Sequence, residues 1–290
     1  MHPQSPERRH LFAEQARSAR PDLAQLCLLI GAEADPDLDA AGMRAARRIL
    51  DRLADQLTAR LAGQPPDQPD RSDQPGGPRS WALALAELLG TRYGFKGRPG
   101  DYQRLQSVLL HEVLRRRRGL PILLSVVWIE VARRAGVPVH GVALPGHFVV
   151  GFGAGDEQVL ANPFAGGHVL SYTDAELMVA GATGAPLAPS MLSPAGPLDI
   201  VLRVLNNIRA WAATRPERSD VALWAVELSL LLPAHPDRLH YERAQLLVQR
   251  GDFLAGALEI ETYADALAAT DEAAAVRLRQ EAHGARAMLN

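Results

Sequence analysis

A single cysteine among 290 residues excludes an intramolecular disulfide and fits a reducing compartment. Long hydrophobic runs are missing too: the longest, within 119–132, is too short and too interrupted to cross a bilayer. The opening MHPQSPERRHLF has no apolar signal core, so a cytoplasmic protein without a membrane partner is expected. No surplus of either charge exists. A net charge of −2 excludes a global electrostatic pull toward nucleic acid or anionic lipid. His140, His147 and His168 lack the spacing of a zinc site, so neither a metal nor another cofactor is expected. Asp35, Asp37 and Asp39 open like an EF-hand loop, but Ala40 and Ala46 occupy its glycine and bidentate glutamate positions. Helix capping is the better reading of the three aspartates.

At 47% hydrophobic, the chain can bury two modest domains, or one with helical extensions. Residues 1–20 are polar and read as a frayed end. Helical spacing marks 21–34 and 40–61, the second through Met43, Ala46, Ile49, Leu50, Leu53 and Leu57. The stretch 63–80 is dense in Pro, Asp, Gln and Gly and reads as a disordered loop. Helices are predicted again over 81–89 and 105–117, with a tight turn at 93–97 between them. Ser171 looks like a helix cap, 181–197 a Gly/Pro-rich connector, and everything from Leu198 is helical. The expected division is an N-terminal helical segment (1–62), the loop (63–80), a core (81–190) and a helical region (197–290).

The stretch from Arg115 to His168 organises the core. Pro121 suits a first helical turn, and Ile122 to Ala135 is apolar almost all round, so that helix should be buried. Strands are predicted over 139–144, 147–152 and 157–161, giving an α+β, mainly helical fold with a small antiparallel sheet on the helix. If Gly153–Asp156 is a four-residue hairpin loop, Phe152 faces Glu157 and His147 lies opposite Asn162. An amide beside an imidazole can orient the ring for chemistry, so His147 and Asn162 are the catalytic candidates. A histidine after Pro-Gly and an asparagine before Pro also have plain structural readings.

These residues carry a resemblance. GLPILLSVVWIEVARRAGVPVHGVALPGHFVV followed by NPFAGG resembles the papain-related transglutaminase-like core, and more closely its SirB-type transglutaminase-like branch. The likeness covers about residues 24–250, including YGFKGRPGDY (93–102) and VLRVLNNI (201–208). It implies a papain/transglutaminase-like pocket, with Pro121 at the position of the nucleophilic cysteine and Asn162 at that of the triad aspartate; His147 alone is unchanged. Proline cannot be a nucleophile, so thiol acyl transfer is not expected here. Arg118, Gly119, Tyr102 and Ser107 match positions that hold the helix entry, and Phe148 and Phe164 belong to the same pocket motifs.

Substitute nucleophiles have plainer readings. Ser125, one turn into the buried helix, would ordinarily bond back to its own helix, and Cys27 sits in an apolar run as a small core residue. Arg115–Arg118 lack interleaved aromatics and read as a helix C-terminus that complements the dipole, so nucleic acid is the weakest partner class. LLLPAHP, then Arg-Ala-x-Leu and Gly251-Asp252-Phe253, resembles a tetratricopeptide helical hairpin, which offers a surface to a protein or peptide partner or caps the core. The expectation is a non-catalytic binding or regulatory scaffold. The alternative is a cryptic hydrolase or acyl transferase using His147 with water or Ser125.

Overall fold

The structure, a computed structural model, describes residues 5–63 and 77–288. Helices dominate, and one antiparallel sheet makes the architecture α+β. Contacts divide the chain into two compact units: Arg20–Val204, and α1 (Ser5–Arg17) together with the helices from Leu205 onward. The N-terminus is not frayed over α1. Phe12 is fully buried with Ala13 and Ala16, and Arg9 donates to Glu227 at 2.7 Å. Three apolar residues make too thin a stripe to stand out in a polar sequence.

In the larger unit, the aspartates do cap and turn. Asp22 accepts from Gln25 N at the start of α2 (Leu23–Ala34), and Asp39 from Gly42 N at the start of α3 (Ala40–Ala62). Asp35 Oδ1 accepts from Asp37 N in the turn between them. Most of the loop expected over 63–80 lies outside the described residues, but Pro78 already opens α4 (Pro78–Leu85), at a helical position where proline loses nothing. A π-helical segment, Ala86–Arg92, continues α4. The single helix expected over 105–117 is broken in two. The Ser107 carbonyl accepts from Leu120 N at 2.8 Å, Leu109 is extended, and α5 covers only Leu110–Arg116.

Helix α6 (Pro121–Arg134) is buried continuously from Ile122 to Ala132 and stops at Gly136, whose φ of +74° is the left-handed turn that glycine supplies freely. It packs on the sheet, whose order is β4-β3-β2-β1-β5: β1 (Val139–Val142), β2 (Val149–Phe152), β3 (Val159–Asn162), β4 (His168–Leu170) and β5 (Pro194–Ala195). Two corrections follow. The second strand starts at Val149, so His147 precedes it in a turn; and Val150 pairs with Ala161, which moves the register by two residues and sets Val149, not His147, in line with Asn162. The cause is the connection, which uses a 3₁₀ turn over Gly155–Glu157 and is two residues longer than a four-residue loop.

Helix α7 (Tyr172–Thr183) begins in a Ser171–Asp174 capping box and covers Val142, Val149 and Leu160 with Ala175 and Val179. Beyond it come α8 (Pro197–Ala213), α9 (Ser219–Leu230), α10 (Arg238–Gln249), α11 (Phe253–Leu267) and α12 (Glu272–Ala287). From α9 onward each packs on the next in chain order. Small residues bring the last helices close: Ala244, Ala257, Ala282 and Ala285 surround Ile260. No helix among the described residues is long and apolar enough to cross a membrane.

Candidate functional site

Asp101 is the buried centre of the α6 entry. It is 2% exposed, and its carboxylate accepts from the Arg118 guanidinium at 2.7 and 3.1 Å and from Arg98 N at 2.8 Å. Arg116 approaches at 3.8 Å, and Ser107 Oγ stands 3.5 Å from the second oxygen. A carboxylate this enclosed is tolerated because cations and donors meet it on several sides. Gly119 fits beneath: a Cβ there would stand 2.6 Å from Val113 Cγ2. Pro121 then begins α6. Of the four arginines in a row, Arg115 pairs with Glu112, Arg117 reaches the Tyr93 carbonyl and lies over its ring, and Arg116 and Arg118 face Asp101.

The two glycine-rich motifs interlock. Gly97 N donates to the Phe164 carbonyl at 2.9 Å, and a Cβ on Gly97 would fall 1.8 Å from the Phe164 ring. The ring of Tyr102, itself half-exposed, is 6.1 Å from that of Phe164. Burial raises the Tyr102 phenol above its ordinary value. Phe95 meets Trp128 edge-on at 6.2 Å, and the enclosed Trp128 Nε1–H has no partner among the described residues.

His147 and Asn162 are each fixed by turn chemistry. His147 N donates to the Leu144 carbonyl at 3.0 Å across Pro145-Gly146, with Gly146 at φ +69°; this is a turn that requires a left-handed third residue. The half-buried imidazole makes no side-chain hydrogen bond among the described residues. Asn162 Oδ1 accepts from Phe164 N at 3.1 Å, so its carbonyl end is committed to the turn that carries Phe164. Ser125 does not bond back to its own helix as expected. Its hydroxyl, fully buried, donates to the Phe148 carbonyl at 3.3 Å and ties α6 to the residue after His147.

Cys27 stands elsewhere. It is buried in α2, burial pushes its thiol well above the ordinary range, and the Glu130 carboxylate adds to the shift. Glu130 lies nine residues beyond Pro121, about 14 Å along a helix rising about 1.5 Å per residue. His140 faces the α7 side with Gln158, and His168 pairs across β4 with Asn162. Among the described residues no cluster of three or more His, Cys, Asp or Glu could hold a metal ion.

The structure thus brings Arg118 and Ser107 to Asp101, Tyr102 to Phe164, and Ser125 to the backbone of Phe148. Sequence reasoning missed Asp101 as the organiser. Its one signal was a carboxylate inside a turn motif with a run of arginines downstream.

A family model described as "Transglutaminase-like superfamily" matches residues 44–206. A UPF0162 protein of Xylella fastidiosa (strain 9a5c) is 29% identical over 237 residues, covering 79% of this chain and 78% of the relative. F-box only protein 21 of Mus musculus is 25% identical over 164 residues, 54% of this chain and 26% of that protein. Among solved structures, one of menin, titled for its binding site for Mixed Lineage Leukemia protein, overlaps 89% of this chain and 65% of its own at 16% identity and a TM-score of 0.43.

Proposed function

The chain belongs to the transglutaminase-like superfamily, and from that premise we propose that it is a binding or regulatory member of it, not an acyl-transfer catalyst. One observation carries the reading: Pro121 occupies the first turn of the core helix, where the family resemblance puts the attacking thiol. Covalent acyl transfer needs an accessible nucleophile next to a base. The two alternative nucleophiles are both committed, Ser125 to the Phe148 carbonyl as a fully buried hydroxyl, and Cys27 to the core as a buried residue of α2. The SirB-type affiliation and the tetratricopeptide-like character of the C-terminal helices are part of the same proposal. Supporting the second, Gly256 on α11 lies so close to α10 that a Cβ would stand 2.9 Å from the Ala244 carbonyl oxygen, the tight approach of a helical hairpin. On the same helix Leu254 and Leu258, one turn apart, are 60% and 61% exposed, a surface suited to a protein or peptide partner.

The second reading, hydrolysis through His147, is favoured by one fact: its ring is half-buried and uncommitted to any other side chain among the described residues. The test offers the full chain p-nitrophenyl acyl esters, and a glutamine-rich protein with a fluorescent amine. Rates equal to the buffer blank are expected. Turnover that vanishes in a folded His147→Ala variant overturns the binding proposal in favour of the hydrolase.

A further inference from the structure

On the α7 side of the sheet lies a cavity of about 610 Å³ that takes no part in the α6 entry. That volume falls within the range of about 300–1,000 Å³ in which small organic ligands are held. Its walls are mainly aliphatic, with Leu160, Leu170, Leu187 and Leu192, and among the described residues no Asp, Glu, Lys or Arg lines it. His140 and Gln158 also line it.

Hydrogen-bond valence fixes the state of this pair. Gln158 Nε2 is 2.8 Å from His140 Nε2 and 3.3 Å from the Leu192 carbonyl oxygen. An amide nitrogen only donates, and a carbonyl oxygen only accepts. One amide hydrogen therefore goes to Leu192 O and the other to His140 Nε2, which must be an acceptor. The imidazole is neutral, with its hydrogen on Nδ1. Burial, which lowers the proton affinity of His140, favours the same state. Gly151 makes room for the arrangement, since a Cβ there would stand 2.5 Å from His140 Nε2 and 3.0 Å from Gln158 Nε2. Two groups of this pair are left over: His140 Nδ1–H, a donor, and Gln158 Oε1, an acceptor. Neither has a partner among the described residues.

We propose that this cavity binds a carboxamide with an aliphatic body, the ligand carbonyl accepting from His140 Nδ1–H and the ligand N–H donating to Gln158 Oε1. An amide is a small neutral group that offers an acceptor and a donor on neighbouring atoms and stays uncharged at neutral pH. A carboxylate would meet Gln158 Oε1 with a second acceptor and find no cation among the described residues of the wall. An ammonium would meet the Nδ1–H with a donor and find no anion among the described residues of the wall. The aliphatic chain fills the leucine-lined remainder. The proposal stands apart from the reading of His147, whose turn is not part of this wall.

The experiment titrates hexanamide, hexanoate and hexylamine into the ¹⁵N-labelled full chain and follows amide shifts. Hexanamide should give saturable shifts at Gly151, Gly153, Gly155 and the start of α7, with the two charged analogues at least about tenfold weaker, since each leaves a polar wall atom mismatched. Leu187→Trp fills the cavity without touching the polar pair and should abolish those shifts while the rest of the spectrum persists. Gln158→Leu should weaken hexanamide at least about tenfold through the lost acceptor. Hexanoate binding as tightly as hexanamide, hexanamide shifts that survive Leu187→Trp, or no saturable shifts with the unaltered protein would each overturn the proposal.

Discussion

A Cβ placed on Gly90 would stand 1.8 Å from the carbonyl oxygen of Gly166 and 2.7 Å from its carbonyl carbon. The π-helical segment and the NPFAGG turn are therefore in backbone contact, which only a glycine at 90 permits. Gly90→Ala must push one backbone off the other, and backbone cannot rotate away as a side chain can. A loss of about 1–3 kcal/mol or more is expected in urea unfolding. Gly181→Ala, on an open face of α7, is the control and should gain about 0.5–1 kcal/mol. Equal effects at the two sites would contradict the contact.

Asp101 gives a second prediction. Asp101→Ala leaves Arg118 and Arg116 facing each other without their counter-ion and should cost about 3–5 kcal/mol. Changing both sides of the main pair, Asp101→Leu with Arg118→Met, should cost distinctly less than the single change, because only the more distant Arg116 is then left without its counter-ion. A double variant at least as unstable as Asp101→Ala would show that the carboxylate holds the loop in some other way.

Thiol chemistry supplies a third. Cys27 is enclosed and its thiolate is disfavoured, so Ellman's reagent should release no thionitrobenzoate from the folded chain and one equivalent after denaturation. Fast labelling of the native protein would remove the argument that this cysteine is inert.

The fourth concerns pH. His111 packs against Gly31, its Nε2 is 3.3 Å from Asp35 Oδ2, and its buried Nδ1 has no partner among the described residues. Burial lowers its proton affinity below the ordinary 6.5, outweighing the pull of Asp35 and Glu112. Since the folded chain resists a proton that the unfolded chain accepts, stability is highest above the ordinary value and falls as pH drops below it. His140, lowered by burial alone, adds in the same direction. Thermal midpoints should decline between about pH 7 and about pH 5, and His111→Gln should flatten part of that decline. A variant with an unchanged slope would remove His111 from the account.

Much of this architecture was legible because it rests on local chemistry. Pro121, the all-round apolar run to Ala132 and Gly136 specify a buried helix with defined ends, and Asp22, Asp39 and Ser171 cap where capping residues are expected. What escaped depends on partners distant in sequence or on details of one loop. The β2–β3 register turned on whether residues after Gly153 form a four-residue loop or a 3₁₀ turn, and the same glycines permit either. Ser107 looked like part of a continuous helix until Leu120 claimed its carbonyl. Asp101 could not announce itself, because its burial depends on arginines 15 and 17 positions later. The pairing of His140 with Gln158 likewise appears only once the correct register sets Gly151 beside both.

The order of the sheet has a consequence of its own. Its outermost strands are also its shortest, three residues in β4 and two in β5, while the four-residue strands lie inside. Open backbone edges are where chains add to one another and fibrils begin, and a rim this brief gives an incoming strand few amides to grip. The protein should therefore tolerate crowding and concentration better than its apolar, valine-rich sheet would suggest.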